Sequence, residues 1–231
     1  MTRAVAMIAG ASRGLGSALC ALLSARDHRV VALGRDAAVR EVASDVEGTA
    51  PFACDLTAAA DVDRAFMEVE SRWGPPSVVI YNAHTIALSP SMETSLASFE
   101  DAWRVNCLGA FTVARRALPA MLERRAGTLV FTGATASRRG GARTAAFASS
   151  KFALRGLSQA LAREHAAAGI HVAHVLLDGL IWSERTRARF APDREKCMPP
   201  ERVAEAYLGL IEQDRSAWTH ELCLRPWTEK F

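Results

Sequence analysis

The sequence predicts a doubly wound α/β fold: a parallel sheet of about seven strands with helices on both faces. Three observations carry that prediction. Strand-like and helix-like segments alternate along the 231 residues, as in a run of βαβ units. Several strand candidates are almost continuously apolar, Ser77 to Tyr81 among them, which suits strands covered on both sides. A glycine-rich turn, Gly10-Ala11-Ser12-Arg13-Gly14-Leu15-Gly16, stands between the first strand candidate and the first helix candidate.

The strand candidates are 3–9, 28–33, 49–54, 77–81, 128–132, 170–176 and 218–224. Helical periodicity fills the gaps at 15–26, 36–46, 58–73, 98–123, 146–168 and 200–213. With no Pro/Gly/Ser-rich linker and no shift in composition, 1–231 reads as one domain. Half of the residues are hydrophobic, enough for a sizeable core. A net charge of +3 and the lack of basic runs with interleaved aromatics argue against nucleic acid. No apolar stretch is long enough for a membrane span, and no signal-like segment precedes the first strand. The five cysteines are scattered without a C-x-x-C pair, which fits reduced thiols in the cytoplasm better than disulfides or a metal site.

Ligands of such sheets bind beyond the carboxyl ends of the strands, so the following loops hold the chemistry. In the first loop Gly10 makes the tight turn, Gly14 lets a pyrophosphate approach and Gly16 packs helix on strand, while Ser12 and Leu15 lie beside the helix start. After the second strand, Arg35 meets the adenosine ribose. Arg13 beside it gives two guanidiniums converging on one point, which favours NADP(H) over NAD(H). Asp36 reads as the N-cap of the next helix. Asp55, followed by Leu56, accepts from an adenine amino group, caps the following helix, or does both. Asn82 and Ala83 let backbone lie against the cofactor.

Taken together, Gly10…Gly14-Leu15-Gly16, Asp55-Leu56, Asn82-Ala83, Val105-Asn106, Lys151 and Gly179 resemble the short-chain dehydrogenase/reductase family, in order and spacing, over nearly the whole chain. The resemblance implies a Rossmann-type fold, a homodimer or homotetramer, and a small-molecule substrate of unknown class. It also implies a tyrosine four residues before Lys151 as proton donor, a serine about thirteen residues earlier to polarise the carbonyl, and Asn106 in a proton relay. Here those first two positions hold Phe147 and Ala134. Asn106 and Lys151 remain, the latter also holding the nicotinamide ribose. Thr135, Ser137 and His84 are the candidates to replace the lost hydroxyls, while Tyr81 and Tyr207 are not obvious substitutes. Gly179, Ile181 and Ser183 complete the nicotinamide end, with Asp178 in place of the usual proline either as a turn cap or as a new polar group near the cofactor. Arg138, Arg139 and Arg143, and Arg185, Arg187 and Arg189, flank the pocket as a solvated face or as anion-recognition groups.

The expected activity is that of an NADP(H)-dependent oxidoreductase with a non-standard proton source. The alternatives are a cofactor-binding protein without redox turnover, serving as sensor or scaffold, and a lyase, isomerase or cyclase using the same pocket. No metal is expected.

Overall fold

In the computed structural model, which describes residues 3–229, one seven-stranded sheet takes its strands from Val5 to Leu224. The strands are β1 (Val5–Ala9), β2 (Arg29–Gly34), β3 (Thr49–Ala53), β4 (Val78–Tyr81), β5 (Gly127–Thr132), β6 (Ile170–Leu177) and β7 (Glu221–Leu224). Their order is β3-β2-β1-β4-β5-β6-β7 and every pairing is parallel. The order reverses between β1 and β4, which makes a crevice at the carboxyl ends of those two strands. The doubly wound expectation therefore holds.

Alternation along the strands feeds two cores. Val5, Met7 and Ala9 of β1 face α3 (Ala59–Trp73), α5 (Gly109–Arg124) and α6 (Ala145–His165). Ala6 and Ile8 face α1 (Leu15–Ala25), α2 (Asp36–Asp45) and α8 (Pro200–Ile211). Both sets of strand residues are buried, so a covered parallel strand reads as one apolar run. Pro51, which lacks an N–H, sits on the edge strand β3.

Four local expectations need correction. The helix expected at 98–123 is α4 (Leu96–Trp103) and α5 joined by a π-helical stretch, Arg104–Leu108. Tyr81 explains its stability: its hydroxyl donates to the Val105 carbonyl at 2.6 Å. That approach needs Gly109, where a Cβ would lie 2.4 Å from the phenol oxygen. A further helix, α7 (Glu184–Phe190), follows β6 in a segment for which no helix was expected. The last strand starts at Glu221, after a 3₁₀ turn at Arg215–Ala217. Asp36 is the first residue of α2 and not its cap: Arg35 holds the cap position, and the Asp36 carboxylate accepts from Arg40 at 2.9 Å.

Candidate active-site cleft

The glycine loop is built by backbone. Gly10 and Ala11 both donate to the Leu33 carbonyl, at 2.8 and 3.1 Å, which turns the chain off the end of β1. Gly10 has φ +88°, and a Cβ there would lie 2.3 Å from the Ala83 nitrogen. Asn82 closes the same corner, its side-chain amide donating to the Gly10 carbonyl at 3.2 Å. Gly14 has φ +99° and faces Ser183 across the cleft. Gly16 turns inward, where a Cβ would meet Ala11 at 2.9 Å. Ser12 and the start of α1, with Leu15, line the cleft between them.

The adenosine end differs from expectation. Arg13 and Arg35 do not converge. The Arg13 guanidinium is drawn to α2, where it meets Glu41 at 2.9 Å and Asp45 at 3.1 Å, with Glu184 of α7 at 4.0 Å. Arg35 lies exposed at the other lip, beside Ala38, Asp55 and Leu56. Asp55 does not cap α3, whose cap position is Ala58. Its carboxylate instead accepts from the Thr57 N–H at 2.9 Å and the Thr57 hydroxyl at 2.7 Å, a closed Asx turn.

At the nicotinamide end Lys151 is only 2% exposed and lines the cleft with Phe147, Ala134 and His84. Its ammonium donates to the Thr132 carbonyl at 2.9 Å. Burial pushes its pKa down to about 7. The Asn106 side chain is fully buried behind this wall. It accepts from the Thr85 N–H at 3.0 Å and donates to the Thr85 carbonyl and the Ser150 hydroxyl, at 3.1 and 2.9 Å. Its side chain therefore clamps the loop after β4 to α6. Ser150 is the α6 half of that clamp.

His84 stands exposed in the cleft with Nδ1 3.2 Å from the Asn82 carbonyl, so the bonded tautomer carries its proton there and leaves Nε2 as an acceptor. Surrounding protein, and then the Lys151 charge, lower its pKa; solvent reaching the ring moderates that shift. Ser137 is fully buried, its oxygen accepting from the Ala134 N–H at 3.1 Å, so its hydroxyl belongs to the loop's interior. Thr135 reaches the cleft, but its hydroxyl donates to Asp178 at 2.7 Å. Asp178 is more than the expected turn cap. It also pairs with Arg225. Burial works against its ionised form, but Thr135 and Arg225 bring the carboxyl below the usual range. Gly179, at φ +147°, packs on Pro226 behind it. Ile181 lines the cleft and bridges to Met198. Ser183 lines it too while capping α7, accepting from the Thr186 N–H at 3.0 Å.

The two tyrosines are both spoken for. Tyr81 holds Val105, and the Tyr207 hydroxyl meets that of Thr132 at 2.8 Å; burial raises the pKa of each. Beyond Phe147 the cleft opens into a second compartment walled by Ile86, Leu88, Leu180 and Phe190, with Arg139 and Lys196 at its mouth. Sequence reasoning missed this apolar wall; its signal was apolar residues inside loops after β4 and β6. Of the second arginine cluster, Arg185 and Arg189 line the cleft, the latter donating to the Ile86 carbonyl at 3.0 Å. Among the described residues no cluster suited to a metal occurs, and no helix is long and apolar enough to cross a membrane.

The cleft fits a dinucleotide on its own evidence. Two positive-φ glycines open a backbone cradle at the start of α1, and a buried ammonium stands at the far end.

Comparison with known proteins agrees. A family model described as short chain dehydrogenase matches residues 4–190. The 3-oxoacyl-[acyl-carrier-protein] reductase MabA of Mycobacterium tuberculosis is 33% identical over 220 residues, covering 91% of this chain and 86% of that protein. The crystal structure of a short-chain dehydrogenase from Rhodopseudomonas palustris superimposes with a TM-score of 0.84 at 32% identity, over 97% of this chain and 99% of the other. An actinorhodin polyketide ketoreductase variant solved with NADPH shares the fold, with a TM-score of 0.89 at 23% identity and 98% coverage of both chains.

Proposed function

Since the chain belongs to the short-chain dehydrogenase family, we propose that it is a single-domain reductase that binds a nicotinamide dinucleotide and reduces a carbonyl on a small, largely apolar substrate. The observation that carries this reading is the joining of two compartments at Phe147 and Lys151: a backbone cradle on one side and an apolar chamber on the other. Such a dinucleotide, when bound, supplies the hydride. The protein holds the pyrophosphate at Gly10–Gly16, the adenosine at Asp55 and Leu56, and the nicotinamide ribose through Lys151. NADP(H) is preferred, through Arg35 and through Arg13 once it releases α2. The kinship with a 3-oxoacyl reductase and the apolar chamber make a 3-oxoacyl thioester the first substrate to try.

Phe147 and Ala134 replace two hydroxyls that the family's carbonyl chemistry uses, so turnover is slower than in relatives that keep them; a missing general acid costs about 10²–10⁴ in rate. Exposed Phe111 on α5 and Phe152 on α6 support a homodimer or homotetramer. The protein is cytoplasmic in this reading. Two measurements test it: fluorescence titration with NADPH and NADH, and NADPH-dependent reduction of an acetoacetyl thioester. Saturation by NADPH with slow ketone reduction is the expected result. Failure to bind either dinucleotide overturns it, and binding without any reduction leaves the non-redox reading, which Phe147 favours.

A further inference from the structure

The chamber that receives the substrate carbonyl needs a proton source, and the groups around it can be taken in turn. Thr135 gives its proton to Asp178 at 2.7 Å. Ser183 donates to the Thr186 hydroxyl at 2.9 Å. His84 engages the Asn82 carbonyl through Nδ1, so the bonded tautomer presents Nε2 as an acceptor and not a donor. The arginines of α7 keep their protons at any physiological pH. Phe147 has none to give. Lys151 remains. Its ammonium has three N–H bonds, of which one is directed to the Thr132 carbonyl. The others serve the cleft it lines, one for a ribose hydroxyl and one for the substrate.

We propose that Lys151 is itself the proton donor of this site, its Nζ–H protonating the carbonyl oxygen of the substrate in place of the phenol that Phe147 lacks. The assignment rests on the reductase reading above and names the group that reading leaves open. The balance is simple. The carbonyl carbon takes a hydride from the dihydronicotinamide, and the carbon–oxygen π pair moves onto oxygen. The Nζ–H bond breaks as the O–H bond forms. An alcohol, an oxidised dinucleotide and a neutral amine result, and the amine takes its proton back from solvent through the open cleft.

The surroundings suit an amine that cycles. Facing Lys151 are His84 from the loop after β4, His174 from β6, and Arg185 and Arg189 from α7. One turn along α6, Arg155 is engaged by Glu221 at 2.6 and 2.8 Å. Among the described residues no carboxylate pairs with Lys151. Its pKa, about 7, is set by burial, so both protonation states are populated near neutrality.

The chain has three lysines, Lys151, Lys196 and Lys230, so ¹³C-lysine labelling yields three side-chain signals, assigned with Lys151→Arg. The Lys151 Cε signal should titrate near pH 7, well below Lys196, whose pKa is raised by Asp193. In parallel, NADPH-dependent reduction of the acetoacetyl thioester should lose about tenfold in kcat per pH unit above that midpoint. Lys151→Arg keeps the positive charge but cannot give up a proton. Its kcat should fall about 100-fold while NADPH affinity changes less than about tenfold. Phe147→Tyr added to Lys151→Arg should restore at least about tenfold, because a phenol again supplies the proton. A Lys151 midpoint at the ordinary lysine value overturns the assignment, as does a Lys151→Arg form that turns over like wild type. If no form turns over, the reductase reading falls and the assignment with it; loss of the assignment alone is marked by wild-type turnover that survives Lys151→Arg.

Discussion

The two halves of the cleft follow different rules. At the carboxyl ends of β1 and β4 the work is done by backbone: Gly10 turns against Leu33 and Ala83, and Asn82 locks the corner. At the carboxyl end of β5 and the start of α6 the cleft is lined by side chains, among them Phe147, Ala134 and Lys151. The backbone corner tolerates few substitutions, because a Cβ at Gly10 or Gly16 collides with neighbouring main chain. A side-chain site can lose a functional group and keep its shape. Under the proposed function, cofactor recognition and reaction chemistry would therefore rest on separate parts of the cleft, one built from backbone and one from side chains.

That contrast can be broken by experiment. The largest effect belongs to the backbone half. Gly10→Ala places a Cβ 2.3 Å from the Ala83 nitrogen at φ +88°, so it should lower the melting temperature by about 10 °C and abolish NADPH fluorescence enhancement. A stable variant that still binds would show that the cradle is not rigid. In the side-chain half, Phe147→Tyr should raise ketone-reduction kcat by about 100-fold with dinucleotide affinity unchanged. An unchanged rate would place the lost hydroxyl outside the reaction path.

A third test reads the buried charge. Lys151 is a base whose pKa is lowered on folding, from the usual lysine value to about 7. The unfolded chain therefore binds the extra proton between those values, and the destabilisation is complete below pH 7 and fades as pH rises. Lys151→Met removes it, so the stability gained should be larger at about pH 6 than at about pH 9, by about 3 kcal/mol in urea unfolding. Equal gains at both values would mean that the ammonium is solvated after all. The smallest effect concerns the adenosine end. Glu41→Gln with Asp45→Asn frees Arg13 from α2 and should tighten NADPH about threefold while leaving NADH alone. Equal tightening of both dinucleotides would remove Arg13 from phosphate recognition.

The same contrast explains what could be read in the sequence. Most strands and the ends of most helices are local or periodic features, and they stand close to where they were expected. Arg13 did not, because its partners lie some thirty residues away on α2, and spacing along the chain cannot say which of two opposed charges wins. Ser137 looked available from its position in a loop, yet the turn folds its hydroxyl inward to the Ala134 N–H. The π-helical stretch was hidden because an extra residue in a turn leaves hydrophobic periodicity nearly intact; its cause is Tyr81, from a different element. Asp178 was half legible. A carboxylate after a strand signals a cap, but its ties to Thr135 and Arg225 are made by the fold.

Those ties give the chain's last segment a say in the cleft. Arg225 grips Asp178, Asp178 holds Thr135, and Pro226 fills the space against Gly179. The loop that carries Thr135 is thus propped from beneath by residues that follow the final strand. A protein cut after Leu224 would keep every strand of the sheet and still lose that prop, so the shape of the cleft depends on residues outside the sheet.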